Sequence, residues 1–295
     1  MTTLMLILVL NLGIVQAVEV APEQVLTVIS AGTGDPVVLL PGLSGCAYGY
    51  RNIVSPLQDS GFQTVIIEPL AIGSSSRPED ADYTMTAQAD RVAAVMDALG
   101  IDDAIIVGHG VSASVALRLA YRRPDLVGGV VSVEGGPNEN TATPTMERSL
   151  KFASVVAKLG GGRLLRGRFK SNLEEASGDR SWIDRRTVGR YLKNIDGDLN
   201  AFITSMRAMA RSTEPESLRE NLVNISCPVL LLAGQAPHSG SVTNDEIDIL
   251  REGLARFSVQ PVPDAGHFIF EEQPDVVITA IKSLQVEERR LTCAQ

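Results

Sequence analysis

The stretch Asp103-Ala-Ile-Ile-Val-Gly108-His-Gly110-Val-Ser112-Ala-Ser-Val-Ala-Leu-Arg-Leu-Ala-Tyr-Arg-Arg-Pro124 changes period partway along. Ala104 to Val107 is a short apolar run rich in β-branched residues, which reads as a buried strand. Gly108 breaks it. From Val111 the spacing becomes helical, with Val115, Leu117, Leu119 and Ala120 on an apolar side, and the helix must stop before Pro124. A buried strand that turns sharply through glycines into a helix predicts a parallel α/β architecture.

The rest of the chain alternates in the same way. Val25–Ser30, Val37–Leu40, Thr64–Ile67, Val127–Val133, Pro228–Ala233 and Ser258–Val262 read as strands. Ile53–Ser60, Thr84–Leu99, Glu246–Phe257 and Pro274–Leu284 read as helices between or after them. Strands and helices at this spacing mean a doubly wound, mostly parallel sheet. The alternation lapses from about Gly135 to Ser226, where helical runs, clustered arginines and Trp182 predict a helical cap over residues 136–226. The α/β core then comprises residues 18–135 and 227–295.

At 295 residues and 44% hydrophobic content the chain can bury one large core. Its net charge of −9 excludes nucleic acid as a main partner, because phosphate binding needs a basic footprint. Cys46, Cys227 and Cys293 form no disulfide framework. Cys46 lies in a glycine-rich loop and is a candidate reactive thiol, while Cys227 opens a strand as a small hydrophobe. The three histidines stand far apart in sequence, so neither a metal site nor a cofactor is expected.

Residues 1–17 hold an apolar run, Leu4 to Leu10, and end in Val15-Gln16-Ala17, which resembles a small-residue cleavage site. No Lys or Arg precedes Arg51, so the basic region of a signal peptide is missing. Two readings stand: a cleaved signal on a secreted or periplasmic protein, or a hydrophobic leader on a cytoplasmic one. The run is too short and interrupted to predict a membrane span. Nothing in the sequence fixes an oligomeric state.

The turn at Gly108-His109-Gly110-Val111-Ser112 has the setting of a nucleophile elbow, Gly-x-Ser-x-Gly, with glycine where the serine belongs. Together with Leu39-Leu40-Pro41-Gly42, the loop Gly73-Ser74-Ser75-Ser76-Arg77-Pro78, the strand ending at Gly234 and the late Asp264-Ala265-Gly266-His267-Phe268, it makes the chain resemble the α/β-hydrolase superfamily. The likeness is to the cap-bearing esterase, lactonase, dehalogenase and epoxide-hydrolase branch. It implies His267 as the base, backbone N–H groups of Leu43 and Val111 as the oxyanion hole, and Gly110 in the nucleophile's place. The usual acid position falls on Pro237, which leaves Glu134, at the end of the preceding strand, as the carboxylate that could orient His267. A shifted frame, Gly110-Val111-Ser112-Ala113-Ser114, would instead make Ser112 the nucleophile; otherwise Ser112 is a first-turn serine and His109 is structural.

Three functions follow from that resemblance. The first is a degraded site that binds a small, apolar carbonyl or ester compound with weak or no serine-hydrolase activity. The second is a hydrolase or lyase acting on small esters or lactones through His267, Glu134 and water. The third is an esterase that uses Ser112.

Overall fold

The computed structural model describes residues 3–10, 13–43, 45–140, 150, 162–196 and 199–292. One sheet runs through it. Its strands are β1 (Thr3–Leu10), β2 (Gly13–Ala21), β3 (Gln24–Ala31), β4 (Asp35–Leu40), β5 (Phe62–Glu68), β6 (Ala104–His109), β7 (Val127–Val133), β8 (Val229–Gly234) and β9 (Phe257–Val262). Their order across the sheet is β1-β2-β3-β5-β4-β6-β7-β8-β9. β1, β2, β3 and β5 pair antiparallel; from β5 through β4, β6, β7 and β8 to β9 every pairing is parallel. The expected mostly parallel sheet is present, extended on one side by antiparallel strands.

Helices α1 (Arg51–Asp59), α2 (Met85–Leu99), α3 (Val111–Arg122), α4 (Gly162–Glu175), α5 (Arg185–Asp196), α6 (Leu199–Arg211), α7 (Asn244–Gly253) and α8 (Pro274–Thr292) surround it. Both faces of the sheet are covered, which is why its inner strands read as unbroken apolar runs. Along β6 the side chains divide by turns. Ala104 and Ile106 pack with Met96, Val115 and Leu231, whereas Ile105 and Val107 pack with Ile53, Leu57 and Ile281. Local signals set the helix ends. The Thr84 hydroxyl accepts from the Ala87 N–H at the start of α2, and Gly100, at φ 65°, closes it.

Two stretches carry secondary structure that the sequence reading did not assign. Within the expected leader, Thr3–Leu10 forms β1 and Gly13–Ala17 much of β2, where Ile14 to Ala17 pair with Ser30 to Thr27; Val18, next in β2, is fully buried. The last helix runs past Leu284 to Thr292. Between β7 and β8 the described elements are helical: α4, α5, α6 and short turns at Leu218–Asn221 and Leu222–Asn224. Residues 141–149, 151–161 and 197–198 of the expected cap, and residues 1–2 and 11–12 of the leader, lie outside the described residues. No described helix is long and apolar enough to cross a membrane.

The packing that matters most to the site is the close approach of α3 to the ends of β6 and β7. A Cβ on Gly108 would stand 2.5 Å from the Ser112 carbonyl oxygen and 2.7 Å from the Ala113 backbone. A Cβ on Gly135 would stand 2.3 Å from Ala113 Cβ and 2.4 Å from the Gly110 carbonyl oxygen. These neighbours are mostly backbone and cannot swing aside. Gly108→Ala is therefore expected to destabilise the fold by about 1–3 kcal/mol through overpacking. Urea unfolding monitored by circular dichroism measures it, and an unchanged midpoint would contradict the packing described.

Candidate functional site

The backbone at Gly110 adopts φ 55° and ψ −122°, a conformation that side chains rarely take, between the end of β6 and the first residue of α3. Its N–H donates to the Val133 carbonyl at 2.9 Å, and its carbonyl accepts from the Ala113 N–H at 3.0 Å. A Cβ built at this position would lie 3.3 Å from His267 Nε2 and 3.5 Å from His267 Cε1. A side chain here would thus point at the imidazole, but glycine supplies none. The Val111 N–H follows as the first of α3, among the N–H groups without a partner inside the helix.

Ser112 faces elsewhere. It is fully buried, and its hydroxyl donates to the Pro41 carbonyl at 2.7 Å. That bond fastens α3 to the turn carrying Leu43, which is closed by the Gly45 N–H on the Gly42 carbonyl at 2.8 Å. Gly42 passes so close to His109 that a Cβ would come within 2.7 Å of its carbonyl oxygen. The Leu43 turn and the Val111 N–H are thereby brought to the same end of the sheet.

His267 lies between β9 and α8. Its N–H donates to the Ala176 carbonyl at 2.7 Å, just past α4, and its own carbonyl faces His109 Nε2 at 3.0 Å. The two imidazole rings pack with centroids 4.5 Å apart. Glu272 holds the same loop from below. Its carboxylate accepts from the N–H groups of Gly178 and Asp179 at 2.8 Å each, of Gly266 at 3.0 Å and of Phe268 at 3.2 Å. The helical insertion and the His267 loop are thus tied by one side chain that the sequence did not single out. Trp182 packs on Phe268 with centroids 5.3 Å apart, which gives this end an aromatic wall.

Burial, then the neighbouring His109, lowers the His267 pKa to about 3, against a smaller opposing pull from Glu134. Burial also lowers His109 to about 4. Both rings are neutral at pH 7. His267 Nδ1 is enclosed beside the Gly240 backbone and makes no well-formed hydrogen bond among the described residues.

Glu134 comes close to His267 but is engaged by other groups. It takes a positive φ of 48° at the end of β7 and is 2% exposed. One carboxylate oxygen accepts from the Gly234 N–H. The other faces His238 Nε2 at 3.1 Å and accepts from the Val242 N–H at 3.3 Å. Burial opposes charge on His238, but its bonds to Glu134 and to the Ala236 carbonyl prevail and raise its pKa above 6.5. Donor atoms of Glu134, His238 and His267 all lie within 4.8 Å of one another. No local spacing announced that cluster, because 104 residues separate Glu134 from His238 and the fold alone gathers them. Pro237 precedes His238 and supplies no acid. Cys46 is buried, and burial first, then Glu68, pushes its thiol up to about 12, so it is no reactive nucleophile.

A family model described as alpha/beta hydrolase fold matches residues 35–155. The chain is similar to the cis-3-alkyl-4-alkyloxetan-2-one decarboxylase of Shewanella oneidensis, 25% identical over 288 residues that cover 89% of this chain and 86% of the relative. It is similar also to the 2-(acetamidomethylene)succinate hydrolase of Mesorhizobium japonicum, 27% identical, with 87% and 90% covered. Among solved structures, the N-acyl homoserine lactone degrading enzyme Est816 superposes with a TM-score of 0.71 at 21% identity, over 90% of this chain and 99% of that one.

The three histidines give the site a distinctive titration. In the unfolded chain His109 and His267 would take up protons near 6.5, but in the native state they do so at about 4 and about 3. The unfolded chain therefore binds more protons below pH 6.5, and these two rings make stability fall as pH drops from there toward 3. His238 acts in the opposite sense. Its contribution is complete below 6.5 and is lost as pH rises through its raised native pKa. Ring-proton NMR across pH, with chelator present, should show one histidine titrating above 6.5 and two that stay neutral at pH 5. Three titrations clustered near 6.5 would contradict this geometry.

Proposed function

The chain belongs to the α/β-hydrolase superfamily, and we propose that within it this protein binds a small, apolar carbonyl or ester compound without forming a covalent serine intermediate. The observation that carries this reading is Gly110: the elbow backbone is kept, the imidazole edge is 3.3 Å from where a Cβ would begin, and no nucleophilic side chain starts there. A ligand carbonyl oxygen would be received by the Leu43 and Val111 N–H groups, which act through the backbone and need no side chain. The named relatives, a decarboxylase and a hydrolase acting on small organic molecules, support a small ligand.

The Ser112 route finds no support in the geometry, since that hydroxyl is spent on the Pro41 carbonyl. A water-based route has one observation in its favour: the free edge at His267 Nε2 borders the place a nucleophile would occupy. Two others weigh against a fast reaction. A ring that takes its proton at about 3 pulls weakly on water at pH 7, and Glu134 is held by His238 and two backbone N–H groups. Ligand binding with at most slow turnover is therefore the reading that fits best.

A fluorophosphonate probe tests it. Wild-type protein should remain unlabelled, and hydrolysis of p-nitrophenyl acetate should stay near the buffer rate. Gly110→Ser should gain labelling at residue 110 and raise hydrolysis by roughly 100-fold or more, since nucleophile removal costs several orders of magnitude where the rest of a site is intact. Labelling of wild type at Ser112 would overturn the proposal. Wild-type ester or lactone hydrolysis abolished by His267→Ala, with no labelling, would favour the water route.

A further inference from the structure

We propose that Glu134, His238 and His267 bind a divalent transition-metal ion, with zinc the best match to two imidazoles and a carboxylate. The three side chains reach one point from three different loops: Glu134 from the end of β7, His238 from the segment after β8, and His267 from the segment before α8. His238 and Glu134 side chains are each 1% exposed, so this is no chance cluster of surface groups.

The geometry of the three side chains leaves lone pairs that a cation can accept. Both ring nitrogens of His238 face oxygen atoms, Ala236 carbonyl at 2.7 Å and Glu134 Oε2 at 3.1 Å. The protonated ring can donate to both; in the neutral ring that gives its proton to the Ala236 carbonyl, the Nε2 lone pair is left against a carboxylate oxygen, an opposition that a cation in place of the proton relieves. His267 Nδ1 is enclosed and makes no well-formed hydrogen bond among the described residues; the Gly240 backbone and Glu134 lie beside it, and its lone pair is open to an ion. A metal ion between them accepts all three lone pairs. The geometry points to Nδ1 as the His267 ligand, because it makes no well-formed hydrogen bond among the described residues and Nε2 faces Gly110.

The surroundings fit that assignment. The Ala236 carbonyl holds His238 in the tautomer whose Nε2 can ligate, and the Gly234 and Val242 N–H groups orient the carboxylate, as outer partners do at metal centres. Tetrahedral zinc, with bonds of about 2.0–2.1 Å, needs donors about 3.4 Å apart. The present spread, within 4.8 Å, would have to close to that distance as the ion binds. A fourth position would be left to water. With Nδ1 on the ion, Nε2 keeps its proton and offers a hydrogen-bond donor to the space above Gly110. The inference stands whether or not that space binds a carbonyl compound.

Calorimetric titration of the chelator-treated full-length chain with Zn2+ tests it, with Co2+ absorption as a second readout. One ion per chain is expected, with the visible band of a four-coordinate cobalt ion. Glu134→Gln and His238→Gln, checked for folding by circular dichroism, should each weaken binding by about 100-fold or more. The sequence has three histidines in all, and His109 is occupied on the His267 carbonyl, so no other histidine site can imitate this one. If either variant fails to fold, wild-type NMR decides: zinc should shift the His238 and His267 ring signals. Absence of binding, ring signals unmoved by zinc, or binding unchanged in folded variants would overturn the proposal.

Discussion

At Gly110 the chain leaves the sheet and enters a helix within a single residue, and a backbone at φ 55° and ψ −122° makes that turn possible. The turn can be this tight because Gly108 and Gly135 let α3 settle onto the strand ends at distances a Cβ would forbid. The Gly110 N–H bond to Val133 then fixes β6 and β7 at the same height. From that one constraint the positions of the Val111 N–H, of Ser112 on the Pro41 carbonyl and of His267 opposite Gly110 all follow. A serine at residue 110 would inherit a geometry already built around it, at the cost of a strained φ.

The charge arrangement departs further from what a working acid–base pair needs. An imidazole acts well as a base when a carboxylate holds its far nitrogen and supports the cation that forms. Here the nearby carboxylate of Glu134 is engaged by His238 and by two backbone N–H groups, and His267 Nδ1 makes no well-formed hydrogen bond among the described residues. Burial, opposed only weakly by Glu134 and the Gly240 backbone, keeps the ring neutral. Glycine at the elbow and a carboxylate engaged by other groups lie in one small volume, and both support the proposal that this site holds a ligand rather than attacks it.

Much of the fold was legible because burial on both sheet faces writes itself into sequence as apolar runs, as in Ala104–Val107, Val127–Val133 and Val229–Leu232. The N-terminal stretch was harder to read, since a strand-forming apolar run and the hydrophobic region of a leader share one composition; Gly13–Ala17 pairs in β2. The site was legible where a residue type carries its own chemistry, as with His267, or where a glycine is conspicuous, as at 110. His238 and Glu272 were not, because their roles depend on partners brought from distant loops. Arg118 was equally hidden: it looks like a helix-surface arginine, yet it is fully buried against Glu139 and Glu214.

The register of the elbow is the point on which the whole account turns, and a crystal structure at a resolution that orders side-chain rotamers tests it most directly. Residue 110 should stand at positive φ beside the His267 ring, with the Ser112 hydroxyl turned away onto the Pro41 carbonyl. A map in which the Ser112 hydroxyl lies within hydrogen-bond distance of His267 Nε2 would contradict it.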